Sequence, residues 1–357
     1  MASKKCTNGE KQKRLVGLDL LRILMAVVVF MYHTAVFTNC SYRYPSLNCL
    51  ASSGGVFMTG FFMLSGFSIG YAMQDKDLKN LNNIKTFWIK RLIGIMPLYL
   101  IIMIVYHVVW GGFSLKDILL IMPLDIIGLR AIIQYLPNMQ YIWFVSNILF
   151  CYLLYPFVHN IVLQIRMKTK GVMLLFAVIL LLYLQIVEMN FPVVASLYYS
   201  IFYRVLEFLV GVLAVSMKPM ISKVLKKPLV AWAVAGVELS LLYRGIYHLV
   251  LFERERWCTI FVTPLFLVII WTLAECNFKW LEKNKLLKYM SGCTFALYLG
   301  QVWTLRFFER NIPNIICGYR NIIKLAIIWG STIVLTIVLH EVVEKPCKKL
   351  FIKKIHS

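Results

Sequence analysis

Residues 14–38 read RLVGLDLLRILMAVVVFMYHTAVFT. From Val16 onward the run is long and apolar enough to cross a bilayer, whose hydrocarbon core takes about 20 helical residues. It nevertheless keeps three ionisable side chains, Asp19, Arg22 and His33. Asp19 and Arg22 stand at i and i+3, so they share a helix face and can pair. Arg22 and His33 are about three turns apart, which returns them to one face roughly 16 Å apart along the axis. Ionisable groups at membrane depth are costly and generally face a cavity or a partner. Arg22 alone can snorkel to the headgroups, and His33 alone can be satisfied by an interhelical hydrogen bond; their common face points to a shared role. The segment lacks a small-residue cleavage site, so it reads as the first helix of a bundle and not as a cleavable leader.

The rest of the chain has the same character. Of its 357 residues, 60% are hydrophobic and 15% charged, and the mean hydropathy is +0.75. A soluble domain carries about 25% charged residues, so here the apolar surface must face lipid. Continuous apolar runs exclude an alternating β-barrel pattern, and the backbone of each span must satisfy itself as a helix. The expected fold is all-α, a polytopic bundle of about ten transmembrane helices forming one domain over residues 1–357. Spans are expected at 17–38, 53–73, 88–109, 142–164, 171–190, 199–216, 228–249, 257–275, 289–308 and 321–342. The short apolar stretch 117–129 holds two Asp and a Pro, and reads as an interfacial or re-entrant piece of a long external loop, 110–141, the best candidate for an acceptor-binding segment or lid.

The net charge of +22 has a location. With these spans, about 26 of the 38 Lys and Arg residues fall in the even loops and in basic tails at 1–16 and 343–357, against about 10 in the odd loops. That asymmetry sets both termini in the cytoplasm and argues against a solvated nucleic-acid-binding face. Nine cysteines without a CxxC pair give no metal or redox cluster, and no metal is expected. Cys40 and Cys49 share an expected external loop, either as a disulfide or as free thiols. No internal repeat is visible, and nothing sets an oligomeric state.

A second intramembrane pair lies in FYRVLEFLVG at 202–211, where Arg204 and Glu207 are again i and i+3. It reads equally as a functional pair or as a structural ion pair that fixes helix packing. GGVFMTGFFMLSGFSIG at 54–70 lines up small residues, Gly54, Gly60, Ser65 and Gly66 among them. These either let helices pack closely or leave room for a substrate chain.

Taken in order, several segments resemble the membrane acyltransferase-3 family, multi-pass O-acyltransferases. RLVGLDLLRILMAVVVFMYH resembles its first helix, with an Arg followed eleven residues later by His. GGVFMTGFFMLSGFSIGYAM, FWIKRLIGIMPLYLI, YIWFVSNILFCYLLYPFV with Trp143, RVLEFLVGVLA and the closing HEVVEKPCKKL are similar to successive later motifs. The resemblance covers nearly the whole chain. It implies transfer of an acyl group, usually acetyl, from cytoplasmic acyl-CoA (acetyl-CoA first) to a hydroxyl of a surface or lipid-linked glycan. The setting it implies is the cytoplasmic (inner) membrane of a bacterium. It makes His33 and Arg22 the catalytic pair and gives Arg91 a contact with coenzyme A. Two positions depart from the pattern: a second Arg is replaced by Gly94, and a late-helix His by Gln301.

The expected geometry suits that chemistry. Coenzyme A phosphates would dock on Arg22, Arg91 and Lys90, since guanidinium groups bond phosphate bidentately. The thin pantetheine arm would span the distance to His33, acting there as general base or as acyl carrier. Asp19 would orient Arg22. Ser65, Gly66, Trp143, Arg204 and Glu207 are expected as channel or structural positions. Two other classes stay open: a transporter or flippase of a lipid-linked or acidic solute, since intramembrane charges also mark translocation routes, and a non-catalytic scaffold.

Overall fold

The computed structural model describes residues 13–42, 44–110, 143–190, 197–225, 227–251, 255–276, 279–312 and 319–356, with isolated positions between 119 and 128. The expected re-entrant piece 117–129 and the long loop 110–141 therefore lie almost wholly outside the described residues. Among those described there is no strand, and the all-α expectation holds. The chain is a multi-pass membrane protein.

The helices are α1 Val16–Thr38, α2 Pro45–Ser52, α3 Phe57–Met73, α4 Leu81–Trp110, α5 Trp143–Gln164, α6 Met167–Asn190, α7 Ile201–Val224, α8 Pro228–Leu251, α9 Glu255–Glu275, α10 Lys279–Glu282, α11 Lys285–Asn311, α12 Tyr319–Val338 and α13 Lys345–His356. Each expected span falls on one of them. Among the described residues seven are long and apolar enough to cross a bilayer, or eight if the α2–α3 pair, bent by 60°, counts as one span. Two expected spans fall short of that measure: the apolar part of α9 is Ile260–Glu275, and α11 carries charged residues toward both ends. Ten is thus an approximate count.

Local chemistry explains the breaks. α1 stops at Asn39, whose φ of 49° is left-handed, a conformation Asn tolerates at a helix end. Pro45 then opens α2, where its missing N–H costs nothing. The expected span 53–73 starts instead at Phe57, after a turn at Ser53–Val56 that separates it from α2. The C-terminal segment also differs from expectation. Residues 343–357 read as a basic tail, yet α12 runs through a π-helical turn, Leu339–Glu344, directly into α13, and the π turn and α13 pack against α4.

α3 and α7 form the tightest pair in the bundle, because two glycines let backbone meet backbone. A Cβ on Gly66 would lie 2.0 Å from the Phe208 carbonyl oxygen, and one on Gly211 would lie 2.0 Å from that of Met63. Gly66 therefore serves helix packing and is not a channel position. Gly60 is similar, facing Met25 and Phe266.

Candidate active site

α1 holds the two ends of the site. At one end Asp19 gathers three partners. Its Oδ1 accepts from Arg22 Nη1 at 3.0 Å and from Ser291 Oγ at 2.7 Å, and its Oδ2 accepts from Arg14 Nε at 2.6 Å. Arg22 Nη1 also donates to Ser291 Oγ at 3.1 Å, and Nη2 donates to Ser68 Oγ at 3.4 Å. The i,i+3 pairing expected from the sequence is thus present, and it is tied to α11 by a serine 272 residues away in the chain. Arg22 is held on several sides but remains 30% exposed. Charge-assisted hydrogen bonds of this kind are roughly twice as strong as neutral ones, so the guanidinium is preorganised.

That exposed side faces a cavity of about 430 Å³, within the range of small-molecule sites. α1, α3, α4, α5, α11 and the C-terminal π turn enclose it. Its charged lining is Arg22, Lys90, Arg91, Glu344 and Lys348. Arg91 lies over the Phe87 ring at 5.2 Å and the Tyr152 ring at 5.8 Å, and its buried Nε has no hydrogen-bond partner. Gly94 also lines the cavity, and a Cβ there would meet nothing within 4 Å. The position of the family's second Arg is therefore open space. Lys348, reaching in from α13, adds a cation to the same lining and is ion-paired with Glu344. Glu344 is 4% exposed and also takes a 2.7 Å contact from His340 Nδ1. Ser65 lines the wall and shares a 3.1 Å hydrogen bond with the Tyr152 hydroxyl.

The other end is a small pocket, lined by Tyr32, His33, Gly54, Gly55, Trp143 and Tyr198 together with Val29, Met58 and Tyr298. The last three also line the large cavity. The two spaces therefore adjoin along a shared wall, with Arg22 lining the large one and His33 the small one. His33 is half-buried, between Tyr32 and Phe37, at ring separations of 5.4 and 6.1 Å.

Arg204 and Glu207 do not line either space. They form a buried ion pair of 2.7 Å, 2% and 0% exposed. Arg204 Nε donates to the Tyr198 carbonyl at 2.9 Å, and its guanidinium lies 5.0 Å from the Trp143 ring and 4.8 Å from that of Tyr198. Since Trp143 and Tyr198 line the His33 pocket, the pair shapes that pocket from behind. Cys40 and Cys49, left open by the sequence, are buried and are not joined as a disulfide. Among the described residues no three His, Cys, Asp or Glu side chains gather as a metal site would need.

Ser291, Glu344, Lys348, Tyr152 and Tyr298 were not legible in the sequence. Glu344 and Lys348 lie inside the closing motif and Tyr152 inside the motif at 141–158, but nothing in those patterns turns them toward a common cavity.

The acyltransferase-domain profile of the acyltransferase-3 family matches residues 15–341. The chain belongs to the acyltransferase-3 family. As a member of that family it is a membrane acyltransferase. No curated protein and no solved structure gives a significant match. The matched region contains Arg22, Lys90, Arg91 and His33, while Lys348 lies seven residues beyond it.

Proposed function

We propose that this acyltransferase moves an acyl group, acetyl first, from acyl-CoA on the cytoplasmic side to a hydroxyl of an extracytoplasmic or lipid-linked glycan. Its setting would be a bacterial cytoplasmic membrane, with both termini inside. The observation that carries this reading is the adjacency of the two spaces: a cationic cavity shares the wall residues Val29, Met58 and Tyr298 with the pocket of His33. A nucleotide polyanion fits the wide end. Arg91 offers a buried, unpaired Nε, and Gly94 leaves the adjacent wall open. Arg22, Lys90 and Lys348 add positive charge around the same space.

When bound, acyl-CoA supplies a thioester activated toward a hydroxyl nucleophile. Arg22, Arg91 and Lys90 hold its phosphates at the wide end. His33 takes the proton of the acceptor hydroxyl as that oxygen bonds to the acyl carbon. The carbon–sulfur bond breaks, and the proton passes from His33 to the departing thiolate. Around His33 the aromatic walls exclude water, which would otherwise hydrolyse the thioester.

The test uses membrane vesicles of both orientations and radiolabelled acetyl-CoA. Label should enter the glycan fraction only in inside-out vesicles, which present the cytoplasmic face. Arg91→Ala should raise the KM for acetyl-CoA by about tenfold to a hundredfold, the worth of one hydrogen bond to a charged group, with kcat little changed. Equal labelling in right-side-out vesicles, or solute movement without release of free coenzyme A, would overturn the proposal in favour of another transport direction or of a transporter.

A further inference from the structure

Met58 stands where the two spaces meet. It lies in the first turn of α3, with its backbone N–H donating to the Gly55 carbonyl at 3.3 Å. It is 3% exposed, and it is one of three residues that line both the large cavity and the His33 pocket. The other two are stiff. Val29 is β-branched, which restricts χ1 in a helix, and Tyr298 packs edge-on to the Phe144 ring at 5.2 Å. Met58 is unbranched, with three rotatable bonds about a polarisable thioether, and is the adaptable member of the wall.

The spaces on its two sides differ greatly in size. The large cavity holds about 430 Å³ and the His33 pocket about 10 Å³, the room that one water needs. Any limit on what reaches His33 therefore lies at the wall and beyond it. The pocket is closely bounded on its far side too. Gly55 lines it, and a Cβ there would stand 3.4 Å from the Tyr198 hydroxyl and 3.5 Å from Cε2. One added methyl would take up the gap between Gly55 and Tyr198.

We propose that Met58 sets the length of the acyl group, closing the wall against any chain longer than acetyl. The inference rests on the reading of the two spaces as donor cavity and base pocket. Acetyl brings a single methyl beyond its carbonyl carbon. Butyryl brings a propyl chain, which must displace Met58 or stay in the large cavity with its carbonyl out of reach of His33. Met58→Ala removes the γ-carbon, the sulfur and the terminal methyl, more than the methylenes that distinguish butyryl from acetyl.

The test measures kcat/KM for radiolabelled acetyl-CoA and butyryl-CoA in inside-out vesicles, with wild type, Met58→Ala, Val29→Ala and Gly55→Ala at matched abundance. A tight apolar pocket discriminates by about 10–200-fold for one methylene, so wild type should prefer acetyl-CoA by about a hundredfold or more. Met58→Ala should raise the butyryl-to-acetyl ratio by about tenfold or more. Val29→Ala opens the same wall by less and should move the ratio in the same direction, so it decides if Met58→Ala does not accumulate. Gly55→Ala should lower acetyl transfer by about tenfold, with inhibition by free coenzyme A unchanged, because its methyl fills the pocket and leaves the large cavity alone. A merely structural Met58 would lower both substrates together and leave the ratio where it is. A wild type that uses butyryl-CoA as well as acetyl-CoA, or an unmoved ratio in both Met58→Ala and Val29→Ala, overturns the length limit alone. Wild-type vesicles that transfer neither acyl group overturn the proposed function and the length limit with it.

Discussion

Replacing His33 with alanine should lower acyl transfer by about 10²–10⁴-fold, the range for a positioned general base, with the amount of protein in the membrane unchanged. The magnitude follows from the pocket. Its other described lining groups are aliphatic chains, glycines, Trp143 and three tyrosines, and none of these ordinarily titrates near pH 7. Nothing next to His33 can take over its proton. Abundance should hold because His33 is half-buried at a pocket wall, where truncation enlarges an existing space. His33→Gln provides the control. It keeps volume and hydrogen bonding without basicity, and should be as inactive as alanine. Transfer at a tenth of wild type or more in either variant would remove the ring from the chemistry.

The second large effect is on stability. Arg204→Met should destabilise the protein by about 3–5 kcal/mol, because it strands Glu207 as an uncompensated buried carboxylate. Glu207 is fully buried, and its Oε1 already has no hydrogen-bond partner. Adding Glu207→Leu should recover most of the loss, since well-packed apolar pairs commonly replace buried ion pairs without cost. Thermal unfolding in detergent, read alongside membrane abundance, checks both. A single variant as stable as wild type, or a double variant no better than the single, would contradict a structural pair. The effect should also reach the site, because Arg204 holds the Tyr198 carbonyl and packs on Trp143.

What could be read in advance depended on the range of each interaction. The Asp19–Arg22 and Arg204–Glu207 pairs are one helical turn long, so periodicity alone exposed them. That Arg22 and His33 line adjoining spaces agrees with the same 3.6-residue repeat. Ser291, which closes the Asp19–Arg22 cluster, is 272 residues from Asp19, and no local pattern marks it. Lys348 was hidden for another reason: a lysine-rich end reads as a solvated tail, and only the π turn shows that it returns to the cavity as α13. Gly66 and Ser65, neighbours in one small-residue run, separate by a single step around the helix. Gly66 meets the Phe208 backbone, whereas Ser65 faces the cavity. The sequence showed the stripe of small residues but not which helix lay against it.

The central claim is that the wide cavity opens to the cytoplasm and receives coenzyme A. Ser65→Cys places a thiol on its wall. With a membrane-impermeant maleimide, labelling above the wild-type background should appear in inside-out vesicles and fall when coenzyme A is present. Labelling confined to right-side-out vesicles, or unaffected by coenzyme A, would contradict the claim.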